Sequence, residues 1–104
     1  MLFFPRMLCG LLLLLSATGR AAESPKQLAA RHLCFGCHAV DETRVGPGFQ
    51  DVAERYANRK DAVPYLISSL RKGSSGKWGG SVAMPPEPVP EAELRIIAQW
   101  IMQQ

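Results

Sequence analysis

No stretch of this sequence is apolar for long enough to span a bilayer. The longest such run, Met7 to Leu15, falls far short of the ~20 residues a membrane helix needs. No window alternates apolar and polar residues convincingly as a half-buried strand does, so the pattern offers no βαβ setting. No internal repeat and no linker divides the chain, and its 104 residues bound it to one domain at most. Histidine occurs twice and cysteine three times, too few for a framework of several disulfides. Charge is thin as well: the formal net charge is +3 for the whole chain, which is no nucleic-acid-binding footprint.

What is present begins with the amino terminus, MLFFPRMLCGLLLLLSATGRAAES, which has the layout of a secretory signal peptide. Arg6 supplies a positive start, Met7 to Leu15 an apolar centre, and Ser16 to Ala22 are mostly small. Gly19 and Ala21 suit the positions on which a signal peptidase relies. Residues 1–21 are therefore read as a leader, cleaved within residues 19–22, and residues 22–104 as one domain exported to the periplasm. Cys9 leaves with the leader. A domain this short has a marginal apolar core, and small exported domains compensate with disulfides, metals or cofactors. Any such staple must use Cys34 and Cys37. After processing, ten Lys and Arg face nine Asp and Glu. Glu87, Glu91 and Glu93 against Arg95 make the carboxyl end acidic and leave the remainder basic. Such an asymmetry can orient a protein towards a charged partner.

The coarse pattern is helical. Ser24 is placed to cap a first helix, with Pro25 at its first position, running to about Cys34. Leu28 would face inward, and Lys26, Gln27 and Arg31 outward. A short helix is expected over Phe49 to Ala57. Asp61 is placed to cap a third, with Pro64 in its first turn and Gly73 at its end. A last helix starts after Pro90, with Glu91 and Glu93 at its positive end. There Leu94, Ile97, Ala98 and Ile101 recur at the spacing of one apolar stripe. Two irregular stretches remain, Val45–Gly48 and Gly73–Pro90. A loop as long as the second is unusual inside a compact domain and calls for a reason.

The chemistry concentrates in LCFGCHAV, residues 33–40. Three readings compete for Cys34, Cys37 and His38. A structural zinc needs four nitrogen or sulfur ligands, and only His32 is left, too close in sequence to be an obvious fourth. A redox dithiol of thioredoxin type needs the βαβ setting that this chain lacks. The third reading is C-x-x-C-H as the attachment signature of a c-type heme, its two thiols bonded to the vinyl groups and its histidine bound to iron. Two intervening residues let both sulfurs reach one edge of a porphyrin, and the next residue then projects beneath the metal. Export suits this reading, because c-type heme is attached outside the cytoplasm.

An iron with His38 on one side raises the question of the other. His32 lies on the same helix as the motif, cannot easily reach the opposite face, and is expected to be exposed. Met102 falls on the last helix, where a core role fits. Met84 sits in SVAMPPEP, where two prolines stiffen a segment that has no helix. Its thioether is a soft ligand that suits heme iron and raises its potential. The long loop thus has its reason: it carries the sixth ligand.

From Pro25 to Gln104 the chain resembles a class I cytochrome c of the short bacterial type, the small periplasmic donors to nitrite reductase and terminal oxidases. The similarity rests on CFGCHAVDETRVGPGFQDVAERYA, on RKGSSGKWGGSVAMPP, and on the terminal helix with Trp100. It implies an all-α class I cytochrome c fold, about four short helices wrapped around one covalently bound heme c. It further implies that the Pro47 carbonyl accepts the His38 imidazole N–H and that Trp78 donates its indole N–H to a heme propionate. Two positions depart from the pattern. Glu87 stands where relatives commonly have Asn, and Ser69 where some have a basic residue for a propionate, a role left open to Arg71 or Lys72. With His38 and Met84 both bound, the iron has no open position for substrate, while electrons can pass through the exposed heme edge. The expectation is a soluble monoheme electron carrier, a monomer and not an enzyme. Its redox partners would be a periplasmic reductase, a terminal oxidase or a dehydrogenase, with no nucleic acid and no stable membrane insertion after processing. A tightly bound heme subunit of a larger dehydrogenase is the alternative, and a gas sensor with a displaceable Met84 a third. The docking face is expected around Val40, Val45, Val82 and Ala83, with Arg44 and Lys77 as rim charges.

Overall fold

The computed structural model describes residues 2–3 and 22–104. The leader assigned to residues 1–21 therefore lies outside the described residues, apart from Leu2 and Phe3. Helix α1, Pro25–Arg31, starts as its sequence dictates. The Ser24 hydroxyl accepts from the Gln27 backbone N–H at 3.1 Å, and the Gln27 side chain accepts from the Ser24 N–H at 2.8 Å. This reciprocal box satisfies two donors that the first turn leaves unpaired, and it uses Gln27, which periodicity alone places on the solvent side. Leu28 and Ala29 are buried.

Helix α1 stops earlier than its pattern suggests, at Arg31 rather than near Cys34. Leu33 adopts a left-handed conformation, φ 63°, and a single 3-10 turn, Cys34–Gly36, follows. A branched residue in this region costs roughly 1–2 kcal/mol, and such local strain is characteristic of functional segments. Here it turns the chain out of α1 immediately before the two cysteines.

Helix α2, Phe49–Tyr56, buries Phe49, Val52, Ala53 and Tyr56. Helix α3, Ala62–Lys72, follows it, with Pro64 in the first turn as expected. Asp61 occupies the cap position of α3 but makes no capping bond. Its carboxylate is drawn instead to Arg59, with Nε to Oδ1 at 2.6 Å and NH2 to Oδ2 at 3.2 Å. At φ −102° and ψ 27° the Asp61 backbone lies outside the extended region that a capping residue adopts, and the Arg59 fork engages both carboxylate oxygens.

Helix α4, Glu91–Ile101, buries the predicted stripe of Leu94, Ile97, Ala98 and Ile101. It packs against α1, α2 and α3, so the other three helices gather around one amphipathic face. Leu94 and Ile97 are the largest side chains sealed completely from solvent, each worth about 1.5–3 kcal/mol of burial. Met102 packs against this core. Among the described residues there is no strand, only one isolated antiparallel bridge between Ser74 and Met84. No described helix is long and apolar enough to cross a membrane.

Candidate heme site

The 3-10 turn closes through Gly36 N–H to Leu33 O at 3.0 Å, Cys37 N–H to Cys34 O at 3.3 Å and His38 N–H to Cys34 O at 3.0 Å. These bonds wind CFGCH tightly enough that Cys34, Cys37 and His38 all line one cavity of about 510 Å³. Its size lies within the range of small-molecule and cofactor sites. Burial pushes the Cys34 thiol up from its ordinary pKa, and the Glu87 carboxylate adds to the effect. A redox dithiol needs the opposite, a thiolate stabilised at neutral pH. Among the described residues no cluster of three or more His, Cys, Asp or Glu could hold a metal ion, which leaves the zinc reading without a ligand set.

The Val45–Gly48 stretch fixes the imidazole. Gly46 N–H donates to Cys37 O at 2.7 Å, and a Cβ at Gly46 would overlap the His38 ring. Only glycine lets the backbone lie this close. The next residue places its carbonyl, Pro47 O, 2.8 Å from His38 Nδ1. A carbonyl can only accept, so Nδ1 carries the proton and Nε2 is left with its lone pair, the arrangement typical of metal-bound histidine. Phe49 stacks on the ring with centroids 5.0 Å apart and 21° between planes. Phe49 in turn packs edge-to-face with Phe35 and Trp100, the three rings lying 5.5–6.2 Å from one another.

Met84 also lines the cavity, and its backbone is tied down. Met84 N–H donates to Ser74 O at 2.8 Å, and Ser74 N–H to Met84 O at 3.0 Å. Gly73 ends α3 at φ 78°, and a Cβ there would come within 2.7 Å of Met84 O. One turn further, Glu87 N–H donates to Leu70 O at 2.8 Å. The long loop is therefore stapled to the end of α3 at the methionine and again at Glu87 beyond it.

Trp78 lines the same cavity, together with Ser69 and Lys77. The Arg55 guanidinium lies 4.3 Å from the Trp78 ring centroid and donates to Lys77 O at 2.7 Å. Lys77 Nζ reaches Ser69 Oγ at 3.1 Å and sits 4.6 Å from the Tyr65 ring centroid. That ammonium, with Tyr56 and Arg59 nearby, holds the Tyr65 phenol below its ordinary pKa.

The structure thus brings Cys34, Cys37, His38, Pro47, Trp78 and Met84 together around one cavity. His32 and Met102 are not among its lining residues. His32 is not exposed as expected: its ring is half-buried, with Nε2 3.4 Å from Glu93 Oε2. Arg71, one of the two residues expected to replace the cation missing at Ser69, pairs with Glu91 at 2.8 Å, and neither it nor Lys72 lines the cavity. Val40 also lies outside it. Lys77, Gly46 and Arg55 are the contributors that sequence reasoning did not assign to the site; no spacing in the sequence relates Lys77 to Ser69 or Arg55 to Trp78.

An all-α domain that gathers a C-x-x-C-H turn, a proton-fixed histidine and a stapled methionine around one apolar cavity has the architecture of a class I cytochrome c. Solved structures agree. The wild-type cytochrome c552 of Nitrosomonas europaea superposes with a TM-score of 0.72 at 39% identity, over 75% of this chain and 96% of that one. The class 1 cytochrome MtoD of Sideroxydans lithotrophicus superposes with a TM-score of 0.62 at 26% identity, over 76% and 90%. In sequence the chain is 51% identical to cytochrome c-552 of Hydrogenobacter thermophilus over 77 residues, 74% of this chain and 78% of the relative. It is 38% identical to cytochrome c-551 of Pseudomonas aeruginosa over 90 residues, 86% of each. The family model for cytochrome c matches residues 22–104. The chain belongs to the cytochrome c family: it is a small class I monoheme cytochrome whose cofactor is heme c and whose function is electron transfer.

Proposed function

We propose that residues 22–104 form a periplasmic carrier of single electrons in which His38 and Met84 hold the heme iron and Cys34 and Cys37 fix the porphyrin edge. The observation that carries this reading is the His38 Nδ1–H bond to Pro47 O at 2.8 Å, which leaves Nε2 as the free donor in a ring already wedged between Gly46 and Phe49. The Ser74–Met84 bridge supports Met84 as the residue that would hold the iron together with His38, because it fixes the backbone on which the thioether stands. Heme c supplies a one-electron couple. His38 and Met84 would both hold the iron and the apolar lining would exclude water, so that little rearrangement would accompany the change of charge. With both residues bound, no position would remain for substrate, which favours a carrier over an enzyme.

The leader-like composition of residues 1–21 and the family match beginning at residue 22 support export of residues 22–104, which would then act as a free, monomeric protein. Leu33, Val45 and Val82 are exposed apolar residues lining the cavity mouth, a surface suited to brief contact with periplasmic reductases, oxidases or dehydrogenases. Replacement of Met84 by alanine tests the reading. The holoprotein should keep its heme through acidified acetone, lose the weak red-edge sulfur-to-iron band and bind carbon monoxide when reduced. A variant that keeps that band and excludes carbon monoxide overturns Met84 as a ligand, and heme extracted by acidified acetone overturns the thioethers.

A further inference from the structure

Lys77 is the residue whose placement the carrier function does not explain. A surface lysine ordinarily extends its ammonium into water, yet here Nζ is folded back onto the Ser69 hydroxyl at 3.1 Å and over the Tyr65 ring at 4.6 Å. None of the ion pairs among the described residues gives it a carboxylate. A hydroxyl and a ring face leave N–H donors of an ammonium to spare. The chain also invests in the position of this segment. Arg55 donates to Lys77 O at 2.7 Å and stacks on Trp78 at 4.3 Å, so the backbone from which both side chains spring is pinned to α2. Lys77, Ser69 and Trp78 together form a donor-rich corner in the lining of an otherwise largely apolar cavity.

Heme c carries two propionate carboxylates, and an anion at an apolar wall requires paired donors. We infer that Lys77 Nζ, with Ser69 Oγ beside it, binds a heme propionate, so that the loop supplies the cation that α3 lacks at Ser69. Lys77 is then an internal partner of the cofactor and not a docking charge. The inference rests on the heme reading above and goes beyond it by assigning the cation. Its consequence is electrostatic: a fixed positive charge beside the propionate opposes the extra positive charge of the oxidised iron and raises the reduction potential.

The test uses the mature holoprotein and three variants: Lys77→Gln, Lys72→Gln, and the double replacement Ser69→Lys with Lys77→Gln. Covalent heme is checked first in the parent; a parent without it sinks the carrier reading itself, whereas an intact parent isolates the assignment of Lys77. Equilibrium redox titration should give a lower potential for Lys77→Gln, with shifted heme-propionate proton resonances in the NMR spectrum. The double variant should return both towards the parent, because its new cation starts from the hydroxyl that Lys77 now touches. Lys72→Gln, altered outside the cavity, should change neither. An unchanged potential and unchanged propionate resonances in Lys77→Gln, with slower and salt-sensitive electron transfer, would make Lys77 a docking charge and overturn the inference. An equal fall in Lys72→Gln would overturn it too, as a general field effect.

Discussion

Helix α4 and the loop that precedes it are neighbours in sequence, yet they are held by different forces. Along α4 the apolar stripe is sealed against α1, α2 and α3, and Leu94, Ile97 and Ala98 are almost wholly out of water. Gly73–Pro90 has no comparable burial: Trp78 and Val82 are exposed, at 38% and 65%. Its shape comes from discrete polar contacts, the Ser74–Met84 bridge, the Glu87–Leu70 bond and the Arg55 clamp on Lys77 and Trp78. Burial is non-directional and tolerates some shift of position. Hydrogen bonds are directional and hold atoms in register. The helical face supplies most of the stability, and the loop holds the Met84 backbone in a fixed place against the end of α3.

The largest break in this comparison is expected on the helical side. Ile97→Ala removes a side chain that is only 1% exposed and should destabilise the holoprotein by about 2–5 kcal/mol, read from the denaturant midpoint. The absorption spectrum of the folded variant should stay that of the parent, since no ligand is touched. A spectrum that changes in step with stability would show that the two regions are not separable.

A smaller loss of stability, with a larger change at the iron, is expected on the loop side. Gly73→Ala places a Cβ on a backbone at φ 78° and drives it towards Met84 O. Its cost should be about 1–3 kcal/mol, and the sulfur-to-iron band should weaken or the reduced protein begin to admit carbon monoxide. A variant with full stability and an unaltered band would show that the bridge does not position Met84.

Least is expected where α1 meets α4. Arg31 bridges Glu23 and Glu93, and His32 faces Glu93 from the same turn. These partners, Arg31 foremost, hold the Glu93 carboxyl below the ordinary range. A depressed folded-state pKa contributes stability that is present above the unfolded value, ~4.3, and is lost as pH falls through the folded one. Thermal unfolding followed across that acidic window should show a steeper decline in the parent than in Glu93→Gln. The contribution is small, because exposed pairs contribute little and salt screens them. Equal pH slopes in the two proteins would remove Glu93 from the balance.

Much of this was legible in advance, and the exceptions share a cause. The α4 stripe, the Ser24 start, Pro64 in the first turn of α3 and the end at Gly73 follow from local rules that act within a few residues. Cys34, Cys37 and His38 declare themselves by spacing. The early end of α1 was not legible, because nothing in RHLC announces that Leu33 will take a left-handed conformation. Asp61 looked like a cap and became the partner of Arg59, since both arrangements lie within reach of the same side chain. His32 looked exposed because its cover, Glu93, comes from a helix at the other end of the domain.

The sequence by itself determined the helices, the attachment motif and the presence of a methionine on an irregular segment, because each depends on neighbours along the chain. Only the tertiary structure decided that Pro47 O meets Nδ1 of His38, that Ser74 anchors Met84, and that Lys77 turns back to Ser69 beneath Arg55-clamped Trp78. Those contacts join residues whose separation carries no periodic signal, and their geometry exists only after α2, α3 and the loop have packed around the same cavity.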